Sequence, residues 1–191
     1  HRDLHSFPTR RSSDLPEING ILKDQMKTVF SIGPSIEYQE RASDAVKYGT
    51  IANNPTVEFT IPSLINHEFS PDGKHVLSAT IQYAPYHLRD QVWSSELNEQ
   101  LKNNVVRVLD NYILDFSSLI EATSVFSPKD LEDEFGLTEG NLNHGEMTLD
   151  QFFFMRPTMS TAQYKSPIEN LYLCGSGDRK STRLNSSHSE I

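Results

Sequence analysis

Residues 170–177, which read NLYLCGSG, give the strongest indication of fold in this chain. A short apolar run, residues 171–174, is followed at once by Gly175, Ser176 and Gly177. A short apolar run bounded by glycine is typical of a buried strand in a parallel sheet. Glycine at the carboxyl end of such a strand lets the backbone approach a ligand closely, and open α/β sheets bind cofactors at that edge. The stretch therefore predicts a strand that ends beside a cofactor.

The two ends of the chain read as translated sequencing-library adapters. Residues 1–14 read HRDLHSFPTRRSSD and residues 178–188 read DRKSTRLNSSH, and an adapter DNA sequence encodes each of them in one continuous frame. Terminal additions of this kind are left out of fold reasoning. We expect residues 1–15 and 178–191 to be non-native and the sequence between them to be truncated on both sides. The alternative is a disordered, basic, serine-rich tail at each end.

The charge balance argues against two classes of partner. The 191 residues include 17 Lys and Arg and 26 Asp and Glu, a formal net charge of −9. Without the two terminal stretches, 11 basic and 22 acidic residues remain, a net charge of −11. Nucleic-acid phosphates and anionic lipids both attract basic surfaces. We therefore expect no nucleic-acid partner and no electrostatic docking to a membrane.

The sequence also lacks an apolar run long enough to span a membrane and a spacing of residues typical of metal ligands. No apolar run reaches the length of about 18 residues that a membrane helix needs. Cys174 is the only cysteine, which leaves no intrachain disulfide and no thiolate metal cluster. The histidines of residues 16–177 are scattered. We expect no metal site, and a cytoplasmic location, or the mitochondrial matrix in a eukaryote.

Local patterns in the first half predict one helix and a strand pair. Ser35 is a good N-cap for a helix that continues to about Tyr48, with Gly49 as its stop. Residues 56–61 (TVEFTI) alternate as a strand does. The turn sequence SPDG at residues 70–73 then leads into a second strand over residues 74–84, so we expect an antiparallel pair.

The second half adds a long helix and shorter elements. Residues 94–114 carry one apolar stripe at helical spacing, and the charged side chains from Glu96 to Arg107 are predicted to form a solvated face. Residues 116–126 have strand-like parts at Ile120 and at positions 125–126. A helix starts at residues 127–130 (SPKD). The order of elements predicts a mixed α and β domain.

Three blocks of sequence together resemble one family. They are residues 61–88 (IPSLINHEFSPDGKHVLSATIQYAPYHL), 135–157 (FGLTEGNLNHGEMTLDQFFFMRP) and 164–177 (YKSPIENLYLCGSG). In this order they resemble the central sheet and C-terminal part of the phytoene dehydrogenase-like FAD-dependent oxidoreductases. Within that family the chain is most similar to the branch of pyridine nucleotide-disulfide oxidoreductase domain-containing proteins.

The resemblance implies a divided fold. Such an enzyme has a Rossmann-type FAD-binding domain with a GxGxxG motif, a pattern that this chain does not contain. A substrate domain, with a mixed sheet and covering helices, is inserted into it. Residues 16–150 are expected to be part of that substrate domain, and residues 151–177 to return to the FAD-binding domain. The fold class expected is thus α+β or α/β, with an incomplete FAD-binding fold and poor FAD binding by this chain alone. Without parallel neighbours, the strand at 170–177 is expected at a sheet edge.

The resemblance also implies which residues approach the cofactor and substrate. Gly175, Ser176 and Gly177 would offer backbone N–H groups to FAD oxygens; the alternative is an ordinary turn after a strand. An apolar substrate could be lined by aromatic residues: Tyr83, Phe152, Phe153 and Phe154. Core packing is the alternative for at least one of the phenylalanines.

Three polar side chains are weak catalytic candidates: His144, Asp150 and Arg156. Arg156 could place a cation near the flavin or a substrate end group, and its alternative is a structural ion pair with Asp150 or Glu146. His144 lies in a loop rich in Gly and Asn, where a proton-transfer role competes with a simple loop hydrogen bond.

The function expected is hydride transfer from a small apolar substrate to FAD, the cofactor that supplies the redox chemistry. Two alternatives remain open: a catalytically silent relative that acts as an interaction or assembly protein, and an amine-oxidase-like flavoenzyme with a polar substrate. The oligomeric state is open as well.

Overall fold

The computed structural model describes residues 6–8, 16–142 and 166–172. The chain divides into two compact units, His1–Asp130 and Leu131–Ile191. The first unit contains a sheet and three helices, and a fourth helix begins at its end.

The sheet has four antiparallel strands in the spatial order β1-β4-β3-β2. The strands are β1 (Ser6–Pro8), β2 (Phe30–Ile32), β3 (Thr56–Thr60) and β4 (Val76–Gln82). The predicted antiparallel pairing of β3 and β4 is confirmed. All pairs in the described sheet are antiparallel, so this part of the chain is α+β, and the mixed sheet is not found in it.

One face of the sheet forms the core. Val57 and Phe59 of β3 and Leu77 and Ala79 of β4 are buried, whereas Glu58, between the first two, is exposed. This is the period-two alternation that the sequence of β3 predicts. Ser31, Glu58 and Thr80 lie side by side across three strands on the other face. The buried face packs with apolar side chains of the long helix and its continuation, among them Val105, Val108, Leu109 and Phe116.

Helix α1 (Ile36–Lys47) begins and ends as predicted. The Oγ of Ser35 accepts the backbone N–H of Tyr38 at 3.1 Å, which satisfies one of the free N–H groups of the first turn. Gly49 has φ +64°, a left-handed conformation that glycine adopts without strain.

Helix α2 (Ser95–Asp110) is capped by Ser94 and ends four residues before the predicted end. Asp115 has φ 52°, and the short helix α3 (Phe116–Leu119) follows it. The predicted strand character of residues 116–126 is therefore wrong, apart from an isolated bridge at Ile120. The Phe116 ring is completely buried because this helical turn directs it into the core.

Helix α4 (Pro128–Phe135) starts at the predicted residues. The backbone N–H of Asp130 donates to the Ser127 Oγ at 3.2 Å, and the backbone N–H of Ser127 donates to the Asp130 Oδ2 at 2.8 Å. This reciprocal pair is a capping box with aspartate as the acid. The helix stops at Gly136, which has φ +67°.

The described part of the opening stretch, residues 170–172, is exposed: it forms a turn at Asn170 and an isolated bridge at Tyr172, and it is not a buried strand. Leu171 is 44% exposed and Tyr172 is 65% exposed, which contradicts the burial predicted for them. The Ser166 N–H donates to the Leu171 carbonyl at 3.0 Å, and the Leu171 N–H donates to the Ile168 carbonyl at 3.2 Å. The backbone groups of Leu171 are thus used locally and not in a sheet. Residues 173–177 lie outside the described residues.

Candidate functional site

Tyr83 is the one predicted site residue that lies within the described residues. Gly175, Ser176, Gly177, His144, Asp150, Arg156 and the three phenylalanines at 152–154 lie outside them. Their predicted roles therefore stay predictions.

Tyr83 follows the end of β4 and forms one wall of an open groove of about 520 Å³. The opposite wall is the outer surface of α1, from Ile36 to Lys47. The groove is lined mainly by polar and charged side chains there, including Gln39, Glu40 and Asp44. Tyr83 is 40% exposed, so its ring is available to a ligand. Its described surroundings are polar, and the apolar substrate wall predicted for it together with the phenylalanines stays a prediction.

A second cavity, of about 700 Å³, lies between α1 and residues 50–54. Tyr38 of α1 closes one side, and its hydroxyl donates to the Pro55 carbonyl at 2.8 Å. Burial raises the pKa of Tyr38, with a further rise from Tyr112 that Arg107 opposes. Tyr38 is therefore a neutral hydrogen-bond donor at physiological pH and ties the helix to the start of β3.

Helix α2 holds the wall of this cavity in place. The Asn104 side-chain amide donates to the Ala52 carbonyl at 3.1 Å, and the Arg107 guanidinium donates to the Asn53 carbonyl at 2.6 Å. Asn104 is buried, at 7% exposure, among the apolar residues of α2. Arg107 is exposed, as predicted for the solvated face of the helix, and its guanidinium also bonds Asn53 and Asn54. The sequence carries no local signal for this tether from α2 to residues 52–54, because the bonded residues lie about fifty positions apart.

Ser63 and His75 are joined by a side-chain hydrogen bond. The Ser63 Oγ lies 3.2 Å from the His75 Nδ1 and accepts the Val76 N–H at 3.1 Å. Burial lowers the pKa of His75, and nearby His67 lowers it further, so the neutral ring is favoured. Ser63 is completely buried, so its hydroxyl does not face a substrate. The pair fixes the connection between β3 and β4 and is not a nucleophile–base pair.

The described residues do not fit the dinucleotide part of FAD. The β2–α1 connection is a strand–loop–helix unit with a single glycine, Gly33. A Cβ on Gly33 would lie 2.7 Å from the Gln39 Nε2, so a side chain already fills the space where a phosphate would approach. The Oγ of Ser35 caps the helix N-terminus. A dinucleotide site needs a glycine-rich turn and several free N–H groups, whereas this connection has one glycine and its Ser35 Oγ already accepts the Tyr38 N–H.

Neither a metal site nor a membrane-spanning helix is present among the described residues. The described residues contain no group of three His, Cys, Asp or Glu side chains that could hold a metal ion. None of their helices combines the length and the apolar character that crossing a bilayer requires.

Comparison with known proteins gives a relationship over most of the chain. No family model matches it. Two relatives, from Rattus norvegicus and Mus musculus, are each 36% identical to it over 138 residues, and both are named pyridine nucleotide-disulfide oxidoreductase domain-containing protein 2. The match covers 72% of this chain and 24% of each relative, so the chain spans about a quarter of the length of these relatives. This similarity supports the oxidoreductase family, and the names agree with the branch that the sequence resembles.

Proposed function

We propose that the full-length protein is an FAD-dependent oxidoreductase similar to phytoene desaturases, and that residues 16–150 are part of its substrate domain. The observation that carries the proposal is the 36% identity over 138 residues to relatives named as oxidoreductase-domain proteins. The flavin and the apolar substrate come from the resemblance of the three sequence blocks.

The architecture of the first unit supports a role in binding substrate, with FAD bound by another domain. Its sheet is antiparallel, and its β2–α1 connection does not fit a phosphate. Because this unit has no glycine-rich turn for a dinucleotide, we assign the substrate to it and the dinucleotide to another domain. FAD would then be held by sequence outside this chain, with a contribution from Gly175, Ser176 and Gly177.

FAD would supply the redox chemistry by accepting a hydride from a substrate carbon. The residues of this chain would bind the substrate and exclude water. Tyr83 would form part of an apolar wall with Phe152, Phe153 and Phe154. Arg156 would hold a substrate end group, while His144 and Asp150 stay weaker candidates for moving a proton.

The test is an absorbance spectrum of the full-length protein, expressed from the complete natural gene. We expect flavin bands after purification or after incubation with FAD. The 191-residue chain, treated in the same way and passed through a desalting column, is the matched control and should retain no flavin. A full-length protein without flavin bands in the presence of excess FAD would refute the proposal.

Substrate class is tested by reduction of the bound flavin under anaerobic conditions. An isoprenoid or other long apolar substrate is expected to bleach the flavin band, whereas primary and secondary amines are not. Bleaching by amines alone would favour the amine-oxidase-like alternative and exclude the apolar substrate.

A further inference from the structure

Asn19 and Gly20 form the one Asn–Gly pair in the sequence, and the structure places them in an exposed turn. The turn is closed by a hydrogen bond from the Ile21 N–H to the Ile18 carbonyl at 3.1 Å. Ile18, directly before the pair, is buried, whereas Asn19 and Gly20 themselves are exposed. The pair is therefore presented to solvent by a turn that is anchored in the core.

The groups that react in asparagine deamidation are open in this turn. The reaction requires the backbone nitrogen of the next residue to reach the asparagine side chain, and glycine obstructs this approach least because it has no Cβ. A Cβ at Gly20 would meet nothing within 4 Å, and the Gly20 N–H donates to no acceptor among the described residues. The Asn19 Nδ2 lies 3.5 Å from the Asn111 carbonyl, a long contact that restrains the side chain weakly.

We propose that Asn19 is a site of spontaneous deamidation and that the product weakens the contact between residues 17–19 and the end of α2. The Gly20 backbone nitrogen, after losing its proton to a solvent base, forms a bond to the Asn19 Cγ, and the Cγ–Nδ2 bond breaks. The leaving nitrogen takes a proton from water and departs as ammonia, which leaves a cyclic succinimide. Addition of water to either ring carbonyl opens the ring to aspartate or isoaspartate at position 19. Water is the only co-reactant, and no electrons are transferred.

The modified residue would lie against the end of α2. The Asn19 N–H donates to the Tyr112 carbonyl at 2.9 Å, and Asn111 is the C-cap of α2. Carbonyl groups at a helix C-terminus carry a partial negative charge, which favours the Asn19 amide and opposes a carboxylate. Deamidation thus replaces a hydrogen-bond donor by a negative charge at this position. Isoaspartate also adds one methylene to the backbone between residues 19 and 20.

This change should loosen the segment that carries Glu17 and Ile18. The Leu114 N–H donates to the Glu17 carbonyl at 3.0 Å, so hydrogen exchange of the Leu114 amide reports on the attachment of the segment. The inference concerns the chemical ageing of the chain and does not depend on the flavin.

Peptide mapping by mass spectrometry tests the proposal in the 191-residue chain, incubated at physiological temperature in mildly alkaline heavy-oxygen water. The tryptic peptide 12–23 contains Asn19 as its only Asn or Gln, and the peptide 108–129 contains Asn111 as its only one, so each mass change is assigned to one residue. Asn19 should be converted, with heavy oxygen incorporated, at least about tenfold faster than Asn111, which is followed by tyrosine. The same incubation in urea gives the rate in the unfolded chain, and the rate in the folded chain should lie within about tenfold of it.

Two results would overturn the site. One is an Asn19 that stays intact in the folded chain while it is converted in urea, because the turn would then protect it. The other is equal conversion of Asn19 and Asn111, because the glycine and the open turn would then have no effect on the reaction.

Asn19→Asp and Asn19→Gln form a matched pair that tests the structural consequence. The first supplies the carboxylate of the product, whereas the second keeps an amide and reacts more slowly because its ring would be larger. Asn19→Asp should raise the exchange rate of the Leu114 amide about tenfold relative to Asn19→Gln, as measured by NMR with amides of β3 as the reference. Equal exchange rates of the Leu114 amide in the two variants would overturn the proposed loosening of residues 17–19.

Discussion

Replacement of Gly49 by alanine should destabilise the first unit more than replacement of another left-handed glycine. Gly49 has φ +64° and terminates α1, and its carbonyl accepts the Arg89 N–H at 3.0 Å. A Cβ at Gly49 would lie 2.7 Å from the Arg89 backbone nitrogen. Because the obstacle is backbone and not a flexible side-chain end, the segment that carries Arg89 has to move.

Gly73 is the matched control for this substitution. It lies in the same unit with φ +73°, and a Cβ there would meet nothing within 4 Å. Left-handed strain costs about 1–2 kcal/mol, and alanine recovers about 0.4–1 kcal/mol from the unfolded state, so Gly73→Ala should cost about 1 kcal/mol. Gly49→Ala adds about 1–3 kcal/mol of overpacking and about 0.5–1.5 kcal/mol for the lost hydrogen bond. The two variants should therefore differ by about 1.5–4.5 kcal/mol.

Urea unfolding followed by far-UV circular dichroism measures the difference. Trp93, the only tryptophan, reports on the displaced segment itself, because its Nε1 donates to the Pro85 carbonyl at 3.0 Å. Gly49→Ala should also shift the Trp93 emission in the folded state, whereas Gly73→Ala should not. Equal free energies of unfolding for the two variants, within about 0.5 kcal/mol, would refute the argument from close approach.

Three further substitutions test polar contacts of the fold. Asn104→Ala should lower the free energy of unfolding by about 1–3 kcal/mol because it leaves the buried Ala52 carbonyl unpaired. Asn103→Ala, at an exposed position of the same helix, is the control and should be nearly neutral. Equal effects of the two substitutions would contradict a stabilising role of the Asn104–Ala52 hydrogen bond. At Asp130, burial opposes ionisation, but hydrogen bonds led by Ser127 hold the pKa below its usual value of 3.8. The stabilisation by ionised Asp130 is thus present above about pH 4 and is lost as pH falls through the folded pKa. Asp130→Asn should therefore lower the free energy of unfolding by about 1 kcal/mol at pH 7 and by progressively less in acid. Urea unfolding from pH 2 to 7 measures this dependence. The pKa of His75 is lowered from 6.5 by burial, so the unfolded chain binds more protons just below that pH and stability falls as pH decreases there. His75→Gln should flatten this part of the stability profile, and an unchanged slope would show that the pKa of His75 does not differ between the folded and unfolded states.

Local signals in the sequence predicted the elements that depend on local chemistry. The serine cap of α1, the glycine after it and the Ser-Pro start of α4 are recognised from a few neighbouring residues. Such signals act over three or four residues and can be recognised without knowing the rest of the fold. The β3–β4 pair was predictable for a similar reason, since a strong turn sequence joins two alternating segments.

The elements that were missed depend on distant contacts. β2 has only three residues, too few for an alternation to be recognised, and it is a strand because β3 lies beside it. Phe116 was read as part of a strand-like segment, but the core selects a helical turn that buries its ring. The tether from α2 joins residues about fifty positions apart, which no local pattern encodes. Of the candidate site, only Tyr83 falls within the described residues.

The alternation in β3 has a consequence for changes in chain length. Val57 and Phe59 are buried and Glu58 between them is exposed, so deletion of one residue inside the strand would bring the carboxylate to the apolar face. The connection to β4 has no such constraint near Pro71, Asp72 and Gly73, which are all exposed. Natural homologues should therefore accumulate insertions and deletions at the tip of this connection, while the five positions of β3 keep a constant number.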